Sequence, residues 1–303
     1  MVPDYVREQA TYPEAKHHAT AMLDILASRL NWSKGTPYPY ISHVAMKPSD
    51  PSFRHSKLIA PAPLSAIERG LNTAEIILVE SGIPPEHTVV CISVEVARKV
   101  REWDYDPFKW LRQAGVLIVA AAGNTPVPAE LGLCGWKGSV GVAGFDTKNR
   151  QLPRSSYGRY VQLLGPGAEI HAAASLGPGR KCFGDGAGSS LVPYILVPKL
   201  LEIWDKLSLN SLQEAMKELL RTAVPDVIHL NPIPRQTKGS KEDFQAWVNM
   251  HSSFAKDHDG TMNKRIEKVL RDPGSTPNLA VGGGEFRRAK SGTYWQRFLR
   301  LWR

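Results

Sequence analysis

The stretch VLIVAAAGN, residues 116–124, is an unbroken run of β-branched and small apolar residues that stops on Gly-Asn just before Pro126 and Pro128. Such a run reads as a buried strand. Its last residue has two readings. Asn124 is a turn residue, because Asn tolerates left-handed backbone angles and bonds its own main chain, or it is a side-chain donor displayed at the carboxyl end of the strand. Immediately upstream, FKWLRQAG (108–115) reads as a helix closed by Gly115. Before that, HTVVCISVEV (87–96) has the β-branched density of another strand. Strand, helix and strand in that order make a β-α-β unit, whose natural product is a parallel sheet.

Outward from this unit, a helix is expected near HHATAMLDILASRL (17–30), where Ala21, Met22, Ile25, Leu26 and Leu30 recur at three- and four-residue intervals. A short helix follows over 65–71. Beyond Asn124 the texture is one of short strands and turns, in GSVGVAGFD (138–146) and SSYGRYVQLLGPGAEIHAAA (155–174). A glycine-rich loop over 184–188 then runs into an apolar helix. Pro193 falls early in that helix, where a missing N–H costs little, and Pro198 is expected to kink it. Ser211 and Glu214 form a capping box for one more helix. From about Pro225 the sequence turns polar and irregular, with no repeat and no convincing core.

At 303 residues the chain is long enough for one large α/β domain or one medium domain with an appendage, and 42% hydrophobic with 22% charged residues is ordinary for a soluble globular protein. The expected division is one domain over residues 1–225 and a basic, partly disordered extension over 226–303. The net charge of +9 is uneven: from Arg235 onward there are 14 Lys and Arg against 7 Asp and Glu, so seven of the nine charges lie in that stretch. Basic character therefore says little about the core. The segment FRRAKSGTYWQRFLRLWR (286–303) interleaves Arg and Lys with aromatic residues, as nucleic-acid or membrane-surface segments do, but a solvated or partner-bound tail is the plainer reading, and nucleic acid is not the expected partner. Cys91, Cys134 and Cys182 are odd in number and lack C-x-x-C spacing, which suggests neither a disulfide framework nor a zinc site. No apolar run is long enough to span a membrane, and MVPDYVREQATYPEAKHH has no apolar core to serve as a signal peptide. The chain is expected to be soluble; its location and oligomeric state are left open.

Three features bear chemistry when taken together. Ser189 follows the glycines of 184–188 just before a helix, whose first amides are orphan donors suited to an oxyanion. Asn124 adds a second donor if its side chain points outward. His18, near the start of a helix, is placed to take a hydroxyl proton. Each has a plain alternative: a loop that binds nothing or holds a phosphate, a turn asparagine, a capping or surface histidine.

The order of these residues resembles the subtilisin-like serine peptidases. GVLIVAAAGNTPVPAELG (115–132) is similar to the family's strand ending in Gly-Asn, and residues 139–174 follow its Val-rich strand, "VGA-x-D", "F-S-N-x-G" and "A-P-G-x-x-I" pattern in register. AGSSLVP (187–193) fits the serine motif G-T-S-M-A-x-P with Ser189 as nucleophile, and His18-Ala19-Thr20-Ala21-Met22 fits the histidine motif H-G-T-x-V. In CISVEV, Ser93 and Val94 resemble the edge strand that pairs with substrate backbone. The resemblance covers about residues 15–225 and implies a three-layer α/β fold with a mostly parallel sheet, its first strands missing, plus the irregular basic extension. It implies a peptide or protein substrate, Ser189, His18 and Asn124 as catalytic residues, and Ser93, Val94 and Gly123 as substrate-binding residues. No cofactor is expected; calcium enters by family resemblance alone and has no recognisable loop here.

Departures from the pattern bear on activity. The family's orienting aspartate sits in a D-[ST]-G motif some thirty residues before the histidine, whereas 17 residues precede His18 here and contain no such motif. Asp4 lacks the flanking glycine, and Asp24 lies about 120 degrees round the helix from His18. Ala19, Glu95, Gly188, Leu191 and Val192 replace other pattern residues. Two functions are carried forward: a serine endopeptidase with weak or absent turnover, and a non-catalytic relative that binds peptides or partners through the old cleft.

Overall fold

The structure is a computed structural model that describes residues 13–30, 41, 64–94, 106, 108–124, 128–153, 155–175, 181–186, 189–231 and 279–281, with backbone alone at 13–19, 64–66, 131, 171, 173–175 and 181–186. Asp4 and Glu95 lie outside the described residues. The core is a six-stranded sheet in the order β1 (Val89–Ile92), β2 (Leu117–Ala121), β3 (Ser139–Phe145), β4 (Val161–Pro166), β8 (Leu279–Ala280), β7 (Val224–Pro225). All neighbours are parallel except β7 and β8. A separate antiparallel pair, β5 (Ile170–Ser175) and β6 (Lys181–Gly186), stands apart from it.

β2 is buried at every residue because both of its faces are covered. Leu117 and Val119 meet α4 (Val192–Lys206) and α5 (Leu212–Thr222) through Val192, Leu196 and Met216. Ile118 and Ala120 face the other way, in a cluster with Leu71 and Leu78 of α2 (Leu64–Ser81) and Leu111 of α3 (Lys109–Ala114). Three layers result, as the alternation of side chains along a strand requires. α1 (Pro13–Arg29) lies against β5 and α4, with Met22 and Ile25 packed on Ile170, Leu191 and Ile195.

The parallel sheet agrees with the sequence reading, as do α3, ended by Gly115 at φ 98°, and the cap of α5, where Glu214 N donates to Ser211 Oγ at 3.2 Å. The reciprocal arm differs slightly: Glu214 Oε2 accepts from Asn210 N, one residue before the cap. Other expectations change. The helix expected over 65–71 runs on to Ser81, carried by buried Ile67, Leu71 and Leu78. The first strand is confined to Val89–Ile92. The glycines at 184 and 186 belong to β6, paired with β5, and not to a loop. Beyond Pro225 the chain does contribute core: Val227, Ile228, Ala280 and Val281 are buried, and β8 pairs with both β4 and β7. Among the described residues no helix is long and apolar enough to cross a membrane.

Candidate functional site

The carboxyl ends of β1 and β2 and the start of α4 converge on one place. β2 ends where Ala122 N still donates to Val142 O of β3, and Gly123 then turns the chain at φ 110°, a left-handed conformation that favours glycine. That turn leaves the Gly123 N–H directed at Ser189 Oγ, 3.1 Å away, while Gly123 O accepts from Ser156 N at 3.2 Å. Ser156 is itself buried, so the turn is held from behind.

Ser189 opens a 3-10 turn (Ser189–Leu191) that leads into α4 and is fully buried. Its N–H donates to Asn124 Oδ1 at 2.9 Å, and its hydroxyl donates to the same oxygen at 3.2 Å. A backbone N–H has no acceptor function, so the oxygen of the carboxamide, not its nitrogen, faces the serine. The hydroxyl is thus doubly engaged, accepting from Gly123 and donating to Asn124. Asn124 itself is exposed, at the rim. Its side chain bonds across 65 residues with its acceptor end.

Ser93 stands just past the end of β1, and its hydroxyl donates to Ser190 O at 2.8 Å. Val94 packs against the α2 and α3 side of the core. Tyr194, in the first turn of α4, lies near Ser93; burial pushes its phenol well above the ordinary value, Cys91 adds to the rise, and Ser93 opposes it. Burial likewise pushes the Cys91 thiol up to about 12.

His18 lies on α1 four residues before Met22, and Met22 packs on Leu191 and Ile195. The fold therefore brings this helix to the first turns of α4, while the His18 side chain lies outside the described residues. Asp24, further along α1, acts electrostatically on the buried Arg29. Gly188 also falls outside the described residues. Among the described residues no group of three or more His, Cys, Asp or Glu is arranged to hold a metal ion.

Sequence reasoning missed the Ser156 support behind Gly123 and the internal bond of the Ser93 hydroxyl. Neither has a local signature, because each joins elements far apart in the chain.

No protein-family model matches the chain, and no curated protein sequence matches it. Among solved structures, it is similar to a cold-adapted subtilisin-like serine proteinase, at 16% identity and TM-score 0.46 over 55% of this chain. It is also similar to the prenylagaramide maturation protease PagA, at 20% identity and TM-score 0.43 over 53% of this chain. The matches span 57% of the length of each of those proteins.

Proposed function

We propose that the chain is a subtilisin-like hydrolase that cleaves peptide bonds by serine-type acyl transfer at Ser189, with weak turnover. The observation that supports this reading is the triple contact of Ser189 with Gly123 and Asn124, made where a parallel strand ends and a helix begins. In the reaction so read, a peptide backbone lies along Ser93 and Val94, and its carbonyl oxygen replaces Asn124 Oδ1 as acceptor of the Ser189 N–H. The carboxamide turns to present Nδ2, giving two donors to the oxygen on which negative charge develops. Ser189 Oγ attacks the carbonyl carbon and passes its proton to the His18 imidazole. Collapse of the tetrahedral species breaks the C–N bond, with that proton going to the leaving amine; water then hydrolyses the acyl ester by the same steps in reverse.

Turnover is weak for two physical reasons. The resting hydroxyl directs its proton to Asn124 and not to a base, and Asp4 and Asp24 both depart from the family's acid motif. The burial of Ser189 favours a second reading, a non-catalytic module that binds peptides in the same cleft. A fluorophosphonate probe decides between them. The hydrolase reading expects slow labelling at Ser189, abolished in Ser189→Ala. Absence of any labelling at Ser189 over a day at millimolar probe overturns it in favour of the binding module, and labelling as fast as an intact subtilisin overturns the weak turnover.

A further inference from the structure

We infer that Ser93 is a positioning residue: its hydroxyl replaces a backbone donor that Pro193 removes, and so sets where Ser189 stands. In a 3-10 turn the carbonyl of residue i accepts from the N–H of residue i+3. For Ser190 that residue is Pro193, which has no N–H. A carbonyl left without a donor at the buried start of a helix is costly, and the neighbouring turn would be free to drift. The Ser93 hydroxyl fills the position, donating to Ser190 O at 2.8 Å from the end of β1.

The consequence is a two-sided hold. β2 grips Ser189 through Gly123 and Asn124, and β1, its parallel neighbour, grips the adjacent residue through Ser93. The side chain of Ser93 is thereby engaged within the protein. What it offers a peptide is its main chain. The catalytic part of this inference rests on the acyl-transfer reading of Ser189; the positional part does not.

The test joins amide hydrogen exchange at Ser189 with probe labelling, on the full chain. Ser93→Ala is expected to speed exchange of the Ser189 N–H about tenfold, and Ser93→Thr, which keeps the hydroxyl, to restore it to within about threefold. Pro193→Ala returns the missing N–H, so the effect of Ser93→Ala is expected to shrink to under about threefold in that background, a rescue that a general loss of packing would not give. In labelling, the inactivation rate constant is expected to fall about tenfold in Ser93→Ala, with the probe's apparent dissociation constant within about threefold. Wild-type exchange at Ser189 in Ser93→Ala, or an undiminished effect in the Pro193→Ala background, overturns the inference. Should Ser93→Ala fail to fold, Ser93→Thr and Pro193→Ala decide alone: exchange at Ser189 more than about threefold faster in Ser93→Thr overturns it. Lack of labelling in the wild-type chain counts against the hydrolase reading alone; the exchange results then decide by themselves whether Ser93 holds Ser190, and with it Ser189, in place.

Discussion

Gly165→Ala tests how tightly the sheet is coupled to the turn that carries Ser189. Gly165 lies in β4, paired with Gly144, and a Cβ added there would meet Val192 Cγ1 at 2.7 Å, with the next atoms at 3.8 Å. Its backbone is outside the left-handed region, so alanine adopts it without backbone strain. The change is therefore one steric contact plus an entropic gain. Alanine restricts the unfolded chain and stabilises by about 0.4–1 kcal/mol. Against this, Val192 is fully buried, and its β-branched side chain is stiff in a helix, so it cannot swing away cheaply. Restoring ordinary contact needs a shift of roughly 0.7 Å or more, and overpacking of this kind costs about 1–3 kcal/mol. The steric effect wins, with a net loss of about 0.5–2 kcal/mol by urea unfolding at unchanged m. Val192→Ala removes Cγ1, so the double variant is expected to be more stable than the sum of the singles by about 0.5–2 kcal/mol. Because Val192 is three residues from Ser189, probe labelling should slow in the single variant and recover in the double. An unchanged midpoint in Gly165→Ala, or strict additivity with Val192→Ala, would show that β4 and the start of α4 are not in contact as described.

Other outcomes follow from the same contacts. Asn124→Ala leaves the Ser189 N–H and hydroxyl without their acceptor and is expected to lose about 1–3 kcal/mol in urea unfolding, while Asn124→Asp, which keeps the acceptor, loses less than about 1; equal stability of wild type and Asn124→Ala refutes the clasp. Burial tends to raise the Asp146 carboxyl, but hydrogen bonds from the Arg150 side chain and from the Arg150 and Lys148 N–H groups, with the Arg150 charge, hold it below the ordinary range. A depressed folded value gives stability that is present above the unfolded pKa, near about 4, and is lost as pH falls through the folded value. The advantage of wild type over Asp146→Asn should thus be full above about pH 5 and shrink below about pH 4, and a pH-independent difference in urea midpoints refutes it. Burial pushes the Cys134 thiol up to about 12, leaving on the order of one thiolate in ten thousand at about pH 8. Iodoacetamide should therefore alkylate Cys134 only after unfolding, and peptide mass spectrometry showing native alkylation at the rate of a free thiol contradicts its placement.

How far the sequence could be read depended on whether the signal was local. The run 116–124 and the cap at Ser211 carry their own periodicity and side-chain chemistry, so β2 and the start of α5 were legible. α2 extends beyond the expected 65–71; its outer face carries Ile76 and Val79, both exposed, which blur the apolar period that marks an amphipathic helix. The glycines at 184 and 186 suit a loop as well as a strand, and only the partner β5, set by contacts along the hairpin, made them a strand. β8 is two residues long, too short for any period, and owes its place to a neighbour in β4 over a hundred residues away. At the site, the residue types and the interval between Asn124 and Ser189 were readable, whereas the end of the carboxamide that faces the serine was not. That orientation depends on a backbone donor, which nearly every residue possesses.

The clasp and the departure of Asp4 and Asp24 from the family's acid motif bear unequally on the proposed reaction. Opening the site exchanges two hydrogen bonds, from the Ser189 N–H and hydroxyl to Asn124 Oδ1, for bonds to a substrate carbonyl and a base. At about 0.5–1.5 kcal/mol net for each bond, closure slows attack by roughly 5- to 150-fold at most. Loss of the orienting acid costs about four orders of magnitude in the serine-peptidase triads where it has been measured, which corresponds to about 5 kcal/mol. The orientation of His18 should therefore limit the rate, and the clasp should only modulate it. Relative to an intact subtilisin, the probe is expected to react with Ser189 at least about a thousandfold more slowly, with little of that deficit recovered on raising probe concentration. A deficit below about a hundredfold would fit closure alone; it would mean that the His18 imidazole is held in place by a group other than Asp4 or Asp24.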